Sequence, residues 1–418
     1  MGFQQGLSGL NAASKSLEVT GNNVANSSTV GFKSAQAQFA DVYASSLTGG
    51  GASQVGIGTS VATVAQQFTQ GNVTASNNPL DLAINGGGFF RLSSGGAITY
   101  SRNGQFQLDK DGGIVNSKGA HLTGFAVTAT GALATGVPTN LVINTADLAP
   151  KTTTKVGLLV NLDSREPIPS KPTFSATDPS TYNRSTSVSV FDSLGNAHVL
   201  QSYFVKVAPP AVSTWDVYGT VDGVAVTAST PPTIAGKIGT LTFDTSGALT
   251  AVPVKQPFTP IADATTTPGA KPLAFDFDFT GTTQFGSTFG LNTQTQDGYT
   301  SGKLAGFGTD ASGIITGRYT NGKSATLGQV VLSNFTNPNG LQNLGNNVWT
   351  ETAASGGPLV GTPSSGNLGV LQSSAVEDSN VDLTAELVNM ITAQRFYQAN
   401  AQTIKTQDQV LQTLVNLR

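Results

Sequence analysis

The chain has 418 residues, no cysteine and a formal net charge of −3, and only 11% of its residues are charged, against roughly a quarter in a typical soluble domain. The missing cysteines exclude disulfides, thiolate metal sites and cysteine nucleophiles. The low charge, without any lysine or arginine cluster, argues against nucleic acid or an anionic membrane as a partner. Because no apolar run approaches the ~20 residues that span a bilayer, we expect no direct membrane insertion.

An amphipathic helix is predicted at the N-terminus, within a terminal helical segment of residues 1–30. Apolar residues recur there in steps of four and three, which keeps them on one face of a helix. This stripe contains Phe3, Leu7, Leu10, Leu17 and Val24. Gly6 and Gly9 lie inside the segment, and each costs on the order of 1 kcal/mol relative to alanine. The helix is therefore predicted to need a partner.

Residues 31–72 are predicted to be a linker, because they include a Gly/Ser-rich stretch from residue 45 to residue 58. An antiparallel β domain is then predicted from two separate pieces, residues 73–147 and 290–354. Its turn signals are dipeptides that readily supply positive φ. They are Asn85-Gly86, Asn103-Gly104, Asp111-Gly112 and Asn321-Gly322.

A second antiparallel β domain is predicted for residues 148–289. Val188 and Val190 alternate there with serines, a pattern typical of a sheet with one solvated face. The order along the chain is nested, because helix, linker and β segments recur in reverse on the C-terminal side. We therefore predict a mostly β protein with helical termini, in which the outer β domain is inserted into the inner one.

After a second predicted linker, residues 355–379, the chain ends in a long helix within residues 380–418. No Gly or Pro occurs from Asp382 onward. Asp382 is the predicted N-cap, and Glu386 lies in the first turn, where the helix dipole favours an anion. The coiled-coil-like stripe of this helix contains Leu383, Leu387, Met390, Tyr397, Ala401, Ile404, Leu411 and Val415. Stripes at both ends of a β-rich chain favour packing between the helices or between subunits over packing on a domain core.

The sequence offers little catalytic chemistry. His121 and His198 have no second histidine at metal-ligand spacing, so we interpret both as strand or turn residues. Asp276 and Asp278 alternate with phenylalanines, which predicts a strand with buried rings and solvated carboxylates rather than a paired-carboxylate site. We therefore predict neither enzymatic activity nor a cofactor or metal site.

Four segments carry a resemblance to a known family. Residues 17–34, LEVTGNNVANSSTVGFKS, resemble the N-terminal signature of the bacterial flagellar axial proteins of rod and hook, and residues 379–417 resemble their C-terminal signature. Residues 80–92 and 100–106 are similar to motifs of the first outer domain in that family. The signature residues are Asn22, Asn23, Asn26, Gly31, Phe32, Gln394, Arg395 and Asn400.

The resemblance implies a structural subunit that forms a helical homopolymer. It implies export through the flagellar type III apparatus without a cleaved signal peptide, and residence in the extracellular hook of the basal body. The N-terminus indeed lacks a basic segment followed by a long apolar run. The implied partners, besides further copies of the chain, are the distal rod protein, the hook cap protein and the hook–filament junction protein.

In the family, the terminal helices line the channel of the polymer. The apolar stripes would then form the self-assembly interface. The opposite, neutral polar face of the last helix would line the channel with Gln398, Gln402, Gln409, Gln412 and Asn416. The large insertion at 148–289 favours a hook subunit over a distal rod subunit. A secreted β-rich adhesin is a weaker alternative, because it would not explain the two terminal helices.

Overall fold

A computed structural model describes residues 2–42, 56–128, 131–207, 213–226, 234–251, 269–271 and 273–416. Most of the predicted Gly/Ser-rich stretch at 45–58 lies outside these ranges. The described residues form two α-helices, α1 (Gly2–Ala25) and α2 (Leu383–Asn416), and 28 β-strands. The prediction of a mostly β fold with helical termini is confirmed.

The strands in the first half of the chain are β1 (Ala35–Val42), β2 (Gly58–Gln66), β3 (Val73–Ala75), β4 (Leu82–Asn85), β5 (Phe89–Ser94), β6 (Ala97–Ser101), β7 (Phe106–Leu108), β8 (Ile114–Asn116), β9 (His121–Ala126), β10 (Thr139–Asn140), β11 (Lys155–Asn161), β12 (Arg184–Phe191), β13 (Ala197–Val207) and β14 (Ser213–Val221). Those in the second half are β15 (Val224–Ala225), β16 (Lys237–Phe243), β17 (Leu249–Ala251), β18 (Asp276–Asp278), β19 (Gly290–Gln296), β20 (Leu304–Thr309), β21 (Ile314–Tyr319), β22 (Ser324–Val330), β23 (Leu332–Asn334), β24 (Gln342–Gly345), β25 (Val348–Thr350), β26 (Leu359–Gly361), β27 (Val370–Ser373) and β28 (Ala375–Glu377).

The chain divides into two compact units. The first, here the terminal unit, comprises Met1–Thr145, Gly306–Arg318 and Ser324–Arg418, and the second, the middle unit, comprises Ala146–Ala305 and Tyr319–Lys323. The insertion predicted at 148–289 falls inside the middle unit, which continues to residue 305.

Both helices of the terminal unit follow their sequence signals. The Asp382 carboxylate accepts hydrogen bonds from the backbone N–H groups of Thr384 and Ala385, at 2.9 and 3.2 Å. It is therefore the N-cap of α2, as predicted. Glu386 lies in the first turn. Gly6 and Gly9 lie within α1, which runs unbroken through both.

The predicted linkers contain strands. In the first linker, β1 and β2 form an antiparallel hairpin, from the pair Ala35↔Gln66 to the pair Val42↔Gly58, and the hairpin contacts α1. In the second linker, β26 pairs with β23, β27 with β4 and β28 with β3. In the second linker, β27 and β28 pair with strands in the first quarter of the chain, a distance at which local composition carries no signal.

The main sheet of the terminal unit has the strand order β20-β21-β22-β9-β5-β6-β25-β24. Phe89, Tyr100, Phe335 and Trp349 form an aromatic core on it. Asn321-Gly322 forms the predicted turn between β21 and β22. The expected hairpin at Asn103-Gly104 is wrong, because β6 pairs with β5 and β25 rather than with β7. Gly104 instead lies against a backbone, where an added Cβ would be 1.7 Å from the Leu82 carbonyl oxygen.

The middle unit contains two sheets, β18-β11-β19 and β12-β13-β14-β16-β17, and β15 also pairs with β14. Alternate residues of both sheets share one apolar core around Trp215. Phe275, Phe277 and Phe279 are buried in that core, whereas Asp276 is half-buried and Asp278 exposed. The predicted alternation of this segment is confirmed.

Candidate functional site

The two terminal helices pack against each other, and glycines of α1 lie at their closest approach. A Cβ added at Gly9 would lie 2.6 Å from the Asn400 Oδ1 atom, and one added at Gly6 would lie 3.0 Å from the Ile404 Cγ1 atom. The glycines that weaken α1 on its own therefore allow α2 to approach. Sequence reasoning missed this role, although the helical spacing of small residues was the available signal.

The buried face of α1 is a strip of small and polar residues at helical spacing. It consists of Gly6, Ala13, Thr20 and Asn23, with Val19 beside it. The predicted apolar stripe lies next to this strip: Phe3 and Leu7 are exposed by 47% and 44%, and Leu10, Leu17 and Val24 are half-buried. The predicted stripe of α1 therefore lies beside the buried strip rather than on it, whereas Ile404 of the α2 stripe lies against Gly6.

On α2, too, a small residue is buried while larger apolar residues are exposed. Ala393 is buried, and three predicted stripe residues, Met390, Ala401 and Ile404, are half-buried. The exposed stripe residues are Leu383, Leu387, Tyr397, Leu411 and Val415. The sequence reading missed four more exposed apolar residues of α2, namely Val388, Ile391, Phe396 and Val410. A single chain therefore leaves several large apolar side chains of its helices exposed, a feature that often marks an interface.

Four of the five polar residues predicted to line the channel are exposed on α2. Gln398, Gln402, Gln409 and Gln412 are exposed, and Asn416 is the last residue of the helix. The signature residues Gln394 and Arg395 are exposed as well, whereas Asn400 lies against Gly9.

Asn23 joins three elements at the end of α1. Its amide oxygen accepts from the Ala35 N–H at 2.9 Å, and its Nδ2 atom donates to the Ala35 carbonyl at 2.8 Å. The side chain thus pairs with β1 as a neighbouring strand would. The same Nδ2 atom lies 3.1 Å from Glu386 Oε1 on α2. Asn23 therefore fixes α1 to both the hairpin and the second helix.

The other asparagines of the N-terminal signature close α1. The Asn26 Nδ2 atom donates to the carbonyl of Asn22 at 2.9 Å, and the Thr29 hydroxyl donates to Asn26 Oδ1 at 3.2 Å. Asn22 itself is exposed. Together with the backbone bond from the Asn26 N–H to the Asn22 carbonyl, at 3.1 Å, these side-chain bonds hold the last turn of α1 and the residues that follow it.

Asn380, which sequence reasoning passed over, forms the matching joint before α2. Its Oδ1 atom accepts from the Ser34 N–H at 2.7 Å, and its Nδ2 atom donates to the Gln67 carbonyl at 2.8 Å. Asn23, in α1, and Asn380, just before α2, therefore hold the two terminal segments to the same hairpin.

The base of the hairpin is fixed to the aromatic core. The Trp349 indole N–H donates to Gln66 Oε1 at 2.6 Å. Phe68 packs edge to face on Phe89 and on Trp349, with ring centroids 5.4 and 5.6 Å apart. This segment anchors the helices on the inner sheet.

A buried ionic cluster completes the joint. Lys33 Nζ lies 2.7 Å from Glu377 Oε1, and Arg102 Nη1 lies 3.1 Å from Glu377 Oε2. The signature residues Gly31 and Phe32 lead into it, and the Gly31 N–H donates to the Glu377 carbonyl at 2.7 Å. Gly31 has φ +71 and leaves no room for a Cβ, which would lie 2.5 Å from the Asn103 nitrogen.

No metal or membrane-spanning feature accompanies these contacts. Among the residues that the structure describes, no three His, Cys, Asp or Glu side chains form a group that could hold a metal ion. Over the same residues, neither helix combines the length and apolar character needed to cross a bilayer.

His198 of the middle unit bridges two carboxylates that sequence reasoning did not place near it. Its Nδ1 atom lies 2.6 Å from Asp222 Oδ2, and its Nε2 atom lies 3.4 Å from Asp192 Oδ2. Burial by itself lowers the pKa of His198, but the hydrogen bonds to Asp222 and Asp192 outweigh it and raise the pKa above 6.5. The ring therefore joins two turns beside the N-terminal end of β13, the turn between β12 and β13 and the turn that follows β14.

We expect the free energy of unfolding of the middle unit to fall with rising pH. Because the folded pKa of His198 is raised, its contribution is complete below about pH 6.5 and is lost as pH rises through the folded pKa. Denaturant titrations in a Trp349→Phe background, which leaves Trp215 as the reporter, measure this slope. His198→Gln should flatten it, and His121→Gln, in the terminal unit, should leave it unchanged. A slope that survives His198→Gln would contradict this assignment.

Comparison with known families first defines the class of protein. Residues 3–33 match the family described as "Flagella basal body rod protein", and residues 372–417 match "Flagellar basal body rod FlgEFG protein C-terminal". Residues 83–154 match the "Flagellar hook protein FlgE/F/G D1 domain", and residues 161–299 match the "Flagellar basal body protein FlaE D2 domain". With the paired terminal helices and the β units, these matches define an axial protein of the bacterial flagellum.

Full-length relatives narrow the class. The chain is 46% identical to the flagellar hook protein FlgE of Escherichia coli K12 and 45% identical to that of Salmonella typhimurium LT2, with all of each chain covered. It is 32% identical to the FlgE of Borreliella burgdorferi B31 over 99% of this chain and 98% of that protein. The chain therefore belongs to the flagellar hook protein family and is a structural subunit of the hook, so the distal rod alternative is not favoured.

A solved structure shows the same fold. The Helicobacter pylori flagellar hook protein FlgE2 superposes with a TM-score of 0.54 at 14% identity, over 73% of this chain and 100% of that one. At this identity the likeness concerns the fold alone.

Proposed function

We propose that copies of this chain polymerise through the exposed apolar faces of α1 and α2 into the curved, flexible tube that transmits torque from rod to filament. The exposure of Leu383, Leu387, Leu411 and Val415 in the single chain carries this proposal. Fully burying one such side chain contributes roughly 1.5–3 kcal/mol. A polymer that covers these faces in every subunit gains that contribution repeatedly.

The interface that we propose combines exposed and half-buried stripe residues. It comprises Phe3, Leu7, Leu10, Leu17, Val24, Leu383, Leu387, Met390, Tyr397, Ala401, Ile404, Leu411 and Val415. In this proposal the buried strip of α1 and the neighbouring Gly9 hold the two helices of one chain together, which leaves the larger side chains for neighbouring copies.

The second part of the proposal is that Gln398, Gln402, Gln409, Gln412 and Asn416 line the channel. The four glutamines are exposed and uncharged. A neutral lining offers an unfolded passenger hydrogen bonds that water replaces readily, and no charge that would retain it. The β units would then lie outside the tube of helices formed by residues 1–30 and 380–418.

The proposal also includes the path of the chain to its place of assembly. We infer export through the flagellar type III apparatus without a cleaved signal peptide, and residence in the extracellular part of the hook. The distal rod protein, the hook cap protein and the hook–filament junction protein are the proposed partners besides the chain itself. The lack of cysteine supports this path, because no disulfide can trap the unfolded chain in transit.

Single cysteines in this cysteine-free chain test the arrangement. Leu387→Cys and Gln402→Cys should both react with a small thiol reagent in the monomer, because both side chains are exposed there. In the assembled polymer, Leu387→Cys should be protected by a neighbouring copy, whereas Gln402→Cys should stay reactive toward a reagent that can enter the channel. Protection of Gln402→Cys with free reaction of Leu387→Cys would reverse the assignment of the two faces.

A further inference from the structure

The ionic cluster of Lys33, Arg102 and Glu377 is buried more completely than ordinary structural ion pairs. The side chains of Lys33 and Glu377 are 0% exposed, and that of Arg102 is 4% exposed. The cluster holds two cations and one carboxylate, so it carries net positive charge inside the terminal unit. Such an arrangement is costly, because each ion loses its hydration.

The remaining hydrogen bonds only partly offset this cost. Lys33 Nζ also donates to the Thr69 carbonyl at 2.6 Å, and Arg102 Nη2 donates to the Gly86 carbonyl at 2.8 Å. The Arg102 Nε atom is buried and has no partner among the described residues. Burial lowers the pKa of the Lys33 ammonium, with Glu377 opposing that shift. A cluster of this kind is a weak source of net stability, which leaves specificity as its physical role.

Glu377 is the group that makes the whole cluster possible. Its two oxygens accept hydrogen bonds from Lys33, from Arg102 and from the Gly71 N–H, the last at 2.9 Å. Its cationic partners lie 344 and 275 residues earlier in the chain. The strand that carries it, β28, pairs with β3. Without this one carboxylate, closure of the joint would bury two uncompensated cations.

We propose that the cluster acts as a latch that makes folding of the joint depend on a complete chain. The two cations Lys33 and Arg102 disfavour closure of the joint between the helices and the inner sheet until the C-terminal segment brings Glu377 into place. Because a chain is made from its N-terminus, Glu377 is among the last residues available. An incomplete chain would meet a penalty for closing, and a complete chain would not. This inference concerns folding of the single chain and goes beyond the proposed polymer.

The first test uses the purified full-length chain as a monomer with Glu377→Gln. Removing one partner of a buried ion cluster is strongly destabilising, so we expect hydrogen exchange at the Ser76 and Asp378 amides to accelerate about 100-fold or more. These amides donate to Ser374 and Asn72 across the joint, at 2.6 and 2.8 Å. Glu351→Gln, which alters an exposed carboxylate bonded to Tyr100, is the matched control and should change exchange little. Unchanged exchange in Glu377→Gln would overturn the proposal.

The second test separates a latch from a contact that merely stabilises. The triple variant Lys33→Met, Arg102→Met, Glu377→Leu keeps the volume but removes the charges, so its joint should close without waiting for residue 377. Pulsed hydrogen exchange during refolding measures the order in which individual amides become protected. In the native chain, the Leu82 amide, which donates to the Gly104 carbonyl, should become protected together with Asp378. In the triple variant it should become protected earlier. The same order in both chains, or a triple variant whose joint stays open, would refute the latch.

Discussion

Replacing Leu387 and Leu411 together with glutamate is expected to abolish polymerisation while the single chain stays folded. Both side chains lie on α2 and are exposed by 45% and 55%, so the monomer loses little packing when they are replaced. In the proposed polymer both would be covered, and burying an unpaired carboxylate costs several kcal/mol for each group. Because every subunit repeats the penalty, we expect assembly to fail completely. Electron microscopy and sedimentation of the purified chain measure the extent of polymerisation.

Gln402→Glu is the matched control for charge and helix. It adds the same carboxylate to α2 on the face proposed to line the channel, where it remains hydrated. Polymers should therefore form in vitro at the native rate, and in cells later subunits should pass more slowly. Normal tubes from the Leu387→Glu, Leu411→Glu chain would show that this apolar face is not the interface between subunits.

Asn23→Ala is expected to lower the free energy of unfolding of the terminal unit by about 3 kcal/mol. Asn23 is 1% exposed, and its amide pairs with both backbone groups of Ala35 and with Glu386. Alanine would leave both Ala35 groups without these partners in a half-buried site, at about 1–3 kcal/mol for each group. Denaturant unfolding followed by Trp349 fluorescence, in a Trp215→Phe background, reports this loss.

The neighbouring signature residue supplies the control for that measurement. Asn22 is exposed on the same turn of α1, and its Oδ1 atom accepts one exposed hydrogen bond from Asn26 at 3.1 Å. Asn22→Ala should therefore cost less than about 1 kcal/mol. Equal losses from the two substitutions would mean that the helix end, rather than the joint with β1, determines stability here.

The sequence predicted correctly those features that depend on residues close to each other along the chain. The cap at Asp382 depends on backbone groups two and three residues away, and the burial of Phe275, Phe277 and Phe279 follows from strand alternation within five residues. The low-charge, cysteine-free composition and the signature around Asn23 and Phe32 were likewise visible in the sequence. None of these features depends on which distant segment lies beside them.

The buried strip of small residues on α1 could not be predicted from the sequence pattern. Periodicity picks out large apolar residues such as Phe3 and Leu7, because a stripe of this kind must be covered by something. It does not say whether the cover is the chain's own second helix or another copy. Gly6 and Gly9 looked like defects, since a glycine in a helix is costly unless another backbone needs the space.

The sequence by itself determined the helical termini, the β-rich interior and the family. Only the tertiary structure decided what holds the termini together: Asn23 with Glu386, 363 residues apart, and Lys33 with Glu377, 344 residues apart. The physical reason is that helical and strand periods report which side of an element is covered. The partner of a buried polar group depends instead on the geometry that long-range pairing imposes.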